Sequence, residues 1–335
     1  ISCSLVGSEM CIRDRYKVAP YKDIIPHLKE TYKILKKNQY EVMHAFDNTL
    51  NLFPMFLGCV AGVKVRISES ISKGDKNEKK TLIKYILRPF SHWFTNCYMA
   101  NSIDCGIWQF GKKTYDRGKV NIFKTVIDAN ANAFNAKLRE DTRKEFGWEN
   151  KIVYGFIGRY VPQKNPLFLI DIFNEIAKKQ ENAILVMIGF GELENEMHDR
   201  IESYGVTDKV IDLGRRDDIK QFYNAFDAFL LPSLYEGMPV VGIEAQCSGL
   251  PIFFSKNITE ETTASELAYY IGLEETPNIW ANKIVKVVNG HIHKRRSYVA
   301  EVIKNGFDSS NEALRLQNFY LAKINQVDDM TGKEK

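Results

Sequence analysis

The stretch that decides the fold is 226–254, FDAFLLPSLYEGMPVVGIEAQCSGLPIFF. Its first part, AFLLP, is a short apolar run typical of a buried strand, and we expect a helix to begin near Val240. The connecting loop contains Gly237, which allows a ligand to approach the backbone closely, and Pro239, which suits the first turn of a helix. Ligands of open parallel sheets bind at the carboxyl ends of strands. The stretch therefore predicts an α/β fold with a ligand site in this loop.

Two glutamates lie on either side of this junction, Glu236 in the loop and Glu244 in the predicted helix. Free amides at a helix start can receive a phosphate, and a nearby carboxylate can accept hydrogen bonds from sugar hydroxyls. Their spacing is not distinctive, since other glutamate pairs in the chain share it. The alternative is that both are exposed glutamates favoured by the positive end of the helix dipole.

A second segment, GRYVPQKN at 158–165, follows a predicted strand and carries Arg159 and Lys164. Two cations at the same sheet edge as Glu236 can neutralise a diphosphate, the guanidinium in forked geometry and the ammonium as a point charge. The alternative is a basic loop in water. The segment therefore adds candidate phosphate ligands to the predicted site.

A third segment, IGFGELENEM at 188–197, places Gly189 and Gly191 after a strand. A dinucleotide fingerprint needs a third glycine at position 194, where this chain has Glu194, so a nicotinamide site is excluded. The glycine pair still suits a tight turn beside a ligand. Alone it is a weak signal.

Helical and strand periods alternate along the chain from residue 21 onward, which indicates doubly wound α/β units. Strands are predicted at 40–46, 64–68, 97–101, 152–157, 183–188, 210–213 and 228–232, with helices between them. A length of 335 residues, with 44% hydrophobic and 26% charged residues, favours two globular domains and excludes a disordered or fibrous chain. Their boundary is expected in the polar stretch 138–149.

The composition and the charge distribution indicate the cellular compartment and the kind of partner. The longest apolar stretch is shorter than the roughly 20 residues of a bilayer span, which predicts a soluble protein. The six cysteines form no CxxC pattern, which favours a reducing cytoplasm and no structural zinc. Residues 1–150 hold 25 Lys/Arg and 16 Asp/Glu, or +9, whereas 151–335 hold 21 and 26, or −5. The basic half predicts an anionic partner such as a membrane surface, the alternative being a merely solvated surface; no nucleic-acid platform is visible.

Together these motifs, with the loop DLGRRDDIKQFYNAFDAFLLPSLYEGMP, resemble glycosyltransferase family 4, most closely its bacterial capsular and exopolysaccharide members. The resemblance runs over about 40–324. It implies a GT-B fold, in which two Rossmann-like domains face a cleft, and retaining transfer from a nucleotide-sugar donor. The resemblance assigns Arg159 and Lys164 to the donor diphosphate, Glu236 to the transferred sugar and Glu244 to the ribose hydroxyls. It also assigns the loop residues Gly237, Met238, Pro239, Val240 and Val241 to substrate binding, where the backbone N–H groups that are present would serve sugar and phosphates.

The N-terminal half departs from the family pattern. The segment at 40–54 resembles the family's histidine-containing strand end, with His44 in place, although a strand histidine is also a common core residue. Glu69 and Ile71 stand where a second histidine cluster is expected. SLVGSEMCIRDR at 4–15 resembles a translated sequencing adapter. We therefore expect a non-native leader over 1–15, an incomplete acceptor-side domain over 16–146, a donor-binding domain over 147–308 and a terminal helix at 309–326 crossing back to the first domain.

The functional hypothesis is a cytoplasmic transferase using a UDP-sugar rather than a GDP-sugar. Its acceptor would be a lipid-linked or surface glycan at the inner membrane face. No cofactor is expected, and no Asp-x-Asp motif that would hold a divalent ion is present. One alternative is a truncated or impaired sugar-nucleotide-binding remnant. Another is a sugar-nucleotide epimerase of the GT-B type.

Overall fold

The computed structural model of this chain describes residues 15–20, 23–72, 81–291 and 294–332. The chain forms two compact units. One contains residues 1–125 and the C-terminal helix, and the other spans 126–308. Of the expected leader, all but Arg15 lies outside the described residues.

The first unit is built on a four-stranded parallel sheet in the order β1-β2-β3-β4. Its strands are β1 Val42–Ala45, β2 Val65–Ser70, β3 Cys97–Ala100 and β4 Val120–Ile122. Its helices are α1 Ile24–Asn38, α2 Leu52–Ala61, α3 Thr81–Leu87, α4 Ile103–Phe110 and α5 Lys112–Asp116.

The C-terminal helix, Ser309–Gly332, belongs to this first unit. Leu316, Phe319 and Ile324 on one of its faces pack against buried residues of β2 and β3, including Ile67 and Met99. Burial of this apolar stripe is the driving force that holds an otherwise isolated helix on the sheet.

The second unit is built on a six-stranded parallel sheet in the order β10-β9-β8-β5-β6-β7. Its strands are β5 Ile152–Ile157, β6 Ala183–Ile188, β7 Val210–Asp212, β8 Ala228–Leu231, β9 Ile252–Ser255 and β10 Ala268–Ile271. Its helices are α6 Ala136–Glu145, α7 Pro166–Ala177, α8 Glu194–Ser203, α9 Ile219–Ala225, α10 Val240–Cys247, α11 Pro277–His291 and α12 Val299–Lys304.

The chain order of this sheet reverses at its centre. From β5 the chain runs outward through β6 to β7 and then returns to β8 on the other side of β5. Both central strands are buried along almost their whole length, as expected for a parallel sheet covered by helices on both faces. The carboxyl ends of β5 and β8 thus form a topological switch point, where sheets of this kind bind ligands.

The division between the units falls between Thr125 and Val126, earlier than the boundary near residue 147 that the sequence predicts. Residues after 125 already belong to the second unit, because Ile127 and Ala129 are buried against Ile243 and Phe307. The helix α6 that follows is polar on its outer face, so its composition resembles a linker although it is a packed element.

Among the described helices, none combines the length with the apolar composition that a bilayer crossing requires.

Candidate active site

The loops that leave β5 and β8 are bonded to one another at the switch point. The amide of Leu234 donates to the Gln163 carbonyl at 2.8 Å, and Nε2 of Gln163 donates to the Tyr235 carbonyl at 3.1 Å. Asn165, in the left-handed conformation at φ 56°, donates from Nδ2 to the Pro232 carbonyl at 3.2 Å. These bonds hold the two predicted loops side by side at the sheet edge.

Lys164 and Glu236, both predicted site residues, form an ion pair across this joint. Nζ of Lys164 lies 2.6 Å from Oε1 of Glu236, and the side chains are only 14% and 8% exposed. The second carboxylate oxygen of Glu236 lies 3.4 Å from Nε2 of Gln163. The pair is therefore neutral as a unit, sheltered and fixed in place.

Arg159 stands at the same edge, two residues beyond the end of β5, and is exposed. Its guanidinium forms no hydrogen bond or ion pair with any residue that the structure describes. Its charge is therefore not compensated by a carboxylate of the described chain, so the guanidinium is available to bind an anion.

Gly189 and Gly191 follow β6 and pack against the loop that follows β5. A Cβ atom added at Gly189 would lie 1.9 Å from the Gly158 carbonyl oxygen, and one at Gly191 would lie 2.3 Å from that of Tyr160. Backbone bonds join the same loops, for example from the Tyr160 amide to the Phe190 carbonyl at 2.9 Å. Close packing of two backbone segments therefore explains both glycines, and any ligand contact would be additional.

The loop after β8 leads into α10, which begins at Val240 with Pro239 as its N-cap residue. The first backbone bond of this turn runs from the Gly242 amide to the Pro239 carbonyl at 3.0 Å. The amides of Val240 and Val241 precede that bond and have no acceptor within the helix, as at any helix start. Met238 is buried and packs under the helix, so from this residue only backbone groups remain for a ligand.

Glu244 lies further along α10 and is held by a buried tyrosine. The hydroxyl of Tyr223 donates to Oε2 of Glu244 at 2.8 Å. Burial raises the pKa of Glu244, while this hydrogen bond and the charge of Lys220 oppose the rise. One carboxylate oxygen is thus committed to the protein, and Oε1 is the oxygen left for a ligand.

Glu244 and Tyr223 line a cavity of about 540 Å³ within the second unit. The wall is completed by Asn132, Leu138, Ile157, Asp217, Asp218, Ile219, Lys220, Gln221 and Val241. Arg159, Lys164 and Glu236 are not part of its lining, but Ile157 is the last residue of β5 and Val241 lies in the first turn of α10. The structure thus gathers the predicted residues into two neighbouring groups along one sheet edge.

His44, the remaining predicted residue, lies in β1 of the first unit and has polar groups close to both ring nitrogens. Nδ1 shares a hydrogen bond of 2.7 Å with the Tyr320 hydroxyl, and Nε2 lies 2.9 Å from Oε2 of Glu69. The ring stacks on Phe46 at 4.2 Å between centroids. Glu69, which replaces an expected histidine, is therefore a direct partner of His44.

Sequence reasoning missed Tyr223, Lys220 and Gln163. Tyr223 follows Phe222 in a helix and resembles a core aromatic, so its hydroxyl contact with Glu244 has no sequence signature. Gln163 could in principle have been predicted from the sequence, because it directly precedes Lys164 within the quoted loop.

Comparison with known proteins places this geometry in a class. The family Glycosyl transferases group 1 matches residues 139–304. EpsF of Bacillus subtilis is 27% identical over 292 residues, which cover 86% of this chain and 76% of EpsF. The Escherichia coli UDP-Gal:alpha-D-GlcNAc-diphosphoundecaprenol alpha-1,3-galactosyltransferase is 26% identical over 305 residues, covering 88% and 78% of the two chains.

Among solved structures, that of Anabaena Alr3699/HepE in complex with UDP matches with a TM-score of 0.74 at 17% identity, over 91% of this chain and 84% of that one. The two parallel-sheet units form an α/β fold of two Rossmann-like halves, the fold of GT-B glycosyltransferases such as HepE. The chain is a glycosyltransferase whose residues 139–304 form a domain of the group 1 family. The family resemblance and the fold class expected from the sequence are thereby confirmed.

Proposed function

We propose that this chain transfers a sugar from a nucleotide-diphosphate donor, with UDP as the favoured nucleotide, to a lipid-linked or surface-polysaccharide acceptor. The observation that carries the proposal is the position of the Lys164–Glu236 pair, which lies at the switch point next to the cavity lined by Glu244. A diphosphate is bound by cations and free backbone N–H groups, and ribose hydroxyls are bound by a carboxylate. This edge of the sheet carries all of these groups.

The cavity is the proposed site of the nucleoside. Its volume of about 540 Å³ falls within the roughly 300–1,000 Å³ of small-molecule pockets. The ionised carboxylate of Glu244 would accept hydrogen bonds from the ribose hydroxyls through Oε1, while Tyr223 holds Oε2 in place. The helix-start amides of Val240 and Val241 lie beside this position and would face the diphosphate.

The diphosphate leaves as negative charge builds on it, so the catalytic requirement is electrostatic. Arg159 and Lys164 are the proposed cations, with the backbone N–H groups of the loop before α10 and of its first turn as further donors. Glu236 would contact the transferred sugar and, by its bond to Lys164, keep the ammonium at the diphosphate position. In the proposed retaining reaction the anomeric carbon loses its phosphate oxygen and bonds the acceptor oxygen on the same face, and the acceptor proton passes to the leaving phosphate.

Relatives support the choice of donor and acceptor. Solved structures of HepE hold UDP and UDP-glucose, and the E. coli relative is named for a UDP-galactose donor and a diphosphoundecaprenol-linked acceptor. An acceptor with a polyprenol tail lies in a membrane. We therefore include peripheral contact with the inner membrane face in the proposal, with the basic N-terminal half as its electrostatic support.

The test is donor turnover by the full chain with a panel of UDP- and GDP-sugars, with and without lipid extract as acceptor. Glu236→Gln and Arg159→Ala should each reduce transfer by about 100-fold or more, as expected when a group acting on transition-state charge is removed. Glu202→Gln and Arg117→Ala, at exposed positions, are the matched controls and should leave transfer unchanged. Equal loss in the controls, or transfer that requires added Mg²⁺ after treatment with EDTA, would contradict the proposed roles.

A second candidate is sugar-nucleotide binding without turnover. It is favoured by His44, whose Nδ1 bonds to the Tyr320 hydroxyl and whose Nε2 lies 2.9 Å from Oε2 of Glu69, in a side chain only 8% exposed and so little accessible to a substrate. UDP binding measured by calorimetry, together with no transfer and no donor hydrolysis for any sugar in the panel, would select this candidate over the enzyme.

A further inference from the structure

The first unit carries an apolar surface on α3 and the turn that follows it. We define this aromatic surface by Leu82, Ile83, Ile86, Phe90, Trp93 and Phe94. Leu82, Ile83 and Ile86 are 65%, 58% and 59% exposed, and Trp93 is 51% exposed. Single exposed apolar residues are ordinary on any protein, but a group this dense marks an interaction site.

The surface is held in place by packing on its other side. Tyr85 meets Trp108 of α4 edge to face at 5.9 Å, and the guanidinium of Arg88 lies 5.7 Å from the centre of the same ring. One face of α3 is therefore packed against α4, and the face with Leu82, Ile83 and Ile86 points outward. This arrangement is that of an amphipathic helix whose apolar side has no partner among the described residues.

The turn after α3 extends the same surface with aromatic rings in mutual contact. Phe90 and Trp93 are 4.9 Å apart between ring centroids, and Phe94 is 5.1 Å from Phe56 of α2. Nε of Arg66 donates to the Phe94 carbonyl at 2.6 Å, which fixes the turn on β2. The aromatic rings of this surface therefore lie on a turn whose backbone is held by a hydrogen bond.

The segment that carries most of this surface has charges of one sign. Residues 81–96, TLIKYILRPFSHWFTN, contain Lys84, Arg88 and His92 and no aspartate or glutamate. Apolar side chains with tryptophan among them, flanked by cations, are the composition of protein surfaces that lie in the membrane interface. An acidic protein partner would provide the charges but not a deep apolar phase for Ile83 and Trp93.

We infer that the aromatic surface docks this chain on an anionic lipid bilayer. Leu82, Ile83, Ile86 and Trp93 enter the interface, and Lys84 and Arg88 contact anionic headgroups. The inference rests on the proposed function, because it gives the membrane contact of a transferase with a lipid-linked acceptor a definite location.

The first test is sedimentation of the full chain with vesicles of phosphatidylcholine, with and without phosphatidylglycerol. Binding should require the anionic lipid and weaken with added salt, because each headgroup-bound cation contributes about fivefold to the partition coefficient. Trp148 and Trp280 are buried and Trp108 is partly buried against Tyr85, so Trp93 is the strongly exposed reporter. Brominated lipid should quench its fluorescence, and Trp93→Phe should remove most of that quenching.

Substitutions at exposed positions should not unfold the chain, which separates docking from stability. Ile83→Ser with Ile86→Ser should reduce the vesicle partition coefficient by about tenfold or more. Leu314→Ser on the C-terminal helix, which removes an apolar side chain of 59% exposure, is the matched control and should bind normally. Lys84→Gln should reduce binding several-fold, whereas Lys113→Gln on α5 should not.

Three outcomes would overturn the inference: no binding to anionic vesicles, equal loss in Leu314→Ser, or quenching that persists in Trp93→Phe. Dimerisation that Ile83→Ser abolishes, seen by sedimentation velocity without lipid, would assign the surface to a second copy of the chain. UDP binding by calorimetry is measured on every variant. Vesicle binding without any donor binding would instead count against the proposed function and leave the docking surface standing.

Discussion

Nζ of Lys164 and Oε1 of Glu236 lie 2.6 Å apart across the switch point of the second unit. The two residues are separated by 72 positions in the sequence and follow strands that are neighbours in the sheet. Little water reaches either side chain. Removal of one partner therefore leaves the other charge in a poor solvent, so the pair couples site geometry to stability.

A double-mutant cycle should show this coupling. Lys164→Met and Glu236→Gln should each lower the free energy of unfolding by about 1–3 kcal/mol, and the double variant should lose clearly less than the sum. Urea denaturation provides the measurement. The same cycle on the exposed Lys112–Asp116 pair should give a coupling energy of about 0.5 kcal/mol or less. Additive effects at 164 and 236 would show that the pair does not form in solution.

Arg159→Ala should separate ligand binding from stability. The guanidinium is exposed and bonds to no described residue, so its loss should leave the melting temperature unchanged. UDP affinity, measured by calorimetry, should fall by about 10- to 100-fold, because a charge-assisted bond to the diphosphate contributes roughly 1.5–3 kcal/mol. An unaltered dissociation constant would remove Arg159 from the donor site.

Glu244 should give donor binding a pH dependence. Burial raises its pKa, so the native chain holds this proton more tightly than the unfolded chain does. Between the unfolded and the folded pKa, the contribution of Glu244 to stability therefore falls as pH rises. UDP affinity should change in the opposite direction, since the ionised carboxylate is the stronger acceptor for ribose hydroxyls.

Calorimetric titration of UDP across this pH range tests the assignment. Glu244→Gln should remove the dependence and weaken UDP binding by about tenfold. Tyr223→Phe should weaken binding while keeping a dependence on pH, because the carboxylate remains but loses its positioning bond. Persistence of the original profile in Glu244→Gln would assign the titration to another group.

Gly189→Ala should be strongly destabilising. The new methyl would lie 1.9 Å from the backbone oxygen of Gly158, so the paired loops would have to separate, at a cost of about 3 kcal/mol or more. Gly290→Ala, in helix α11 with no atom within 4 Å of the new methyl, is the control and should stabilise the chain by up to about 1 kcal/mol. Thermal melts of the two variants make the comparison, and equal melting temperatures would refute the close approach of the loops.

Asp227→Asn should also destabilise the fold. Asp227 directly precedes β8, so it lies at the end of the strand opposite to the candidate site. Asp227 is nearly fully buried and pairs with Arg139 and Arg143, while its Oδ2 accepts from the Val153 amide at 2.8 Å. Loss of this charge leaves buried guanidiniums uncompensated, which typically costs about 3–5 kcal/mol. Asp218→Asn, in an exposed pair with Arg216, should cost about 1 kcal/mol or less. Chemical denaturation of both variants distinguishes them.

Much of the second unit was predictable from its sequence. The strand predicted at 183–188 is β6, and the helix expected near Val240 is α10. Buried parallel strands give continuous apolar runs, and loops with glycine, proline and charge follow their carboxyl ends. Because all such ends meet at one sheet edge, the loops bearing Arg159, Lys164 and Glu236 could be placed together without coordinates.

Contacts between side chains that are distant in the sequence could not be predicted from it. Three such contacts depend on which strands and helices become neighbours. They are the pairs Lys164–Glu236, Tyr223–Glu244 and Glu69–His44. Strand order and side-chain direction are set by packing of the whole sheet, and no local pattern encodes them. The same reason explains why the unit boundary lay earlier than a polar stretch suggested.

The sequence by itself determined the α/β class, the alternation of elements and the edge at which the chemistry lies, because hydrophobic periodicity and turn residues are local properties. The tertiary structure alone decided which charges are paired, which carboxylate lines the cavity and which apolar side chains on α3 stay exposed. Those outcomes follow from burial, and burial is a property of the packed chain.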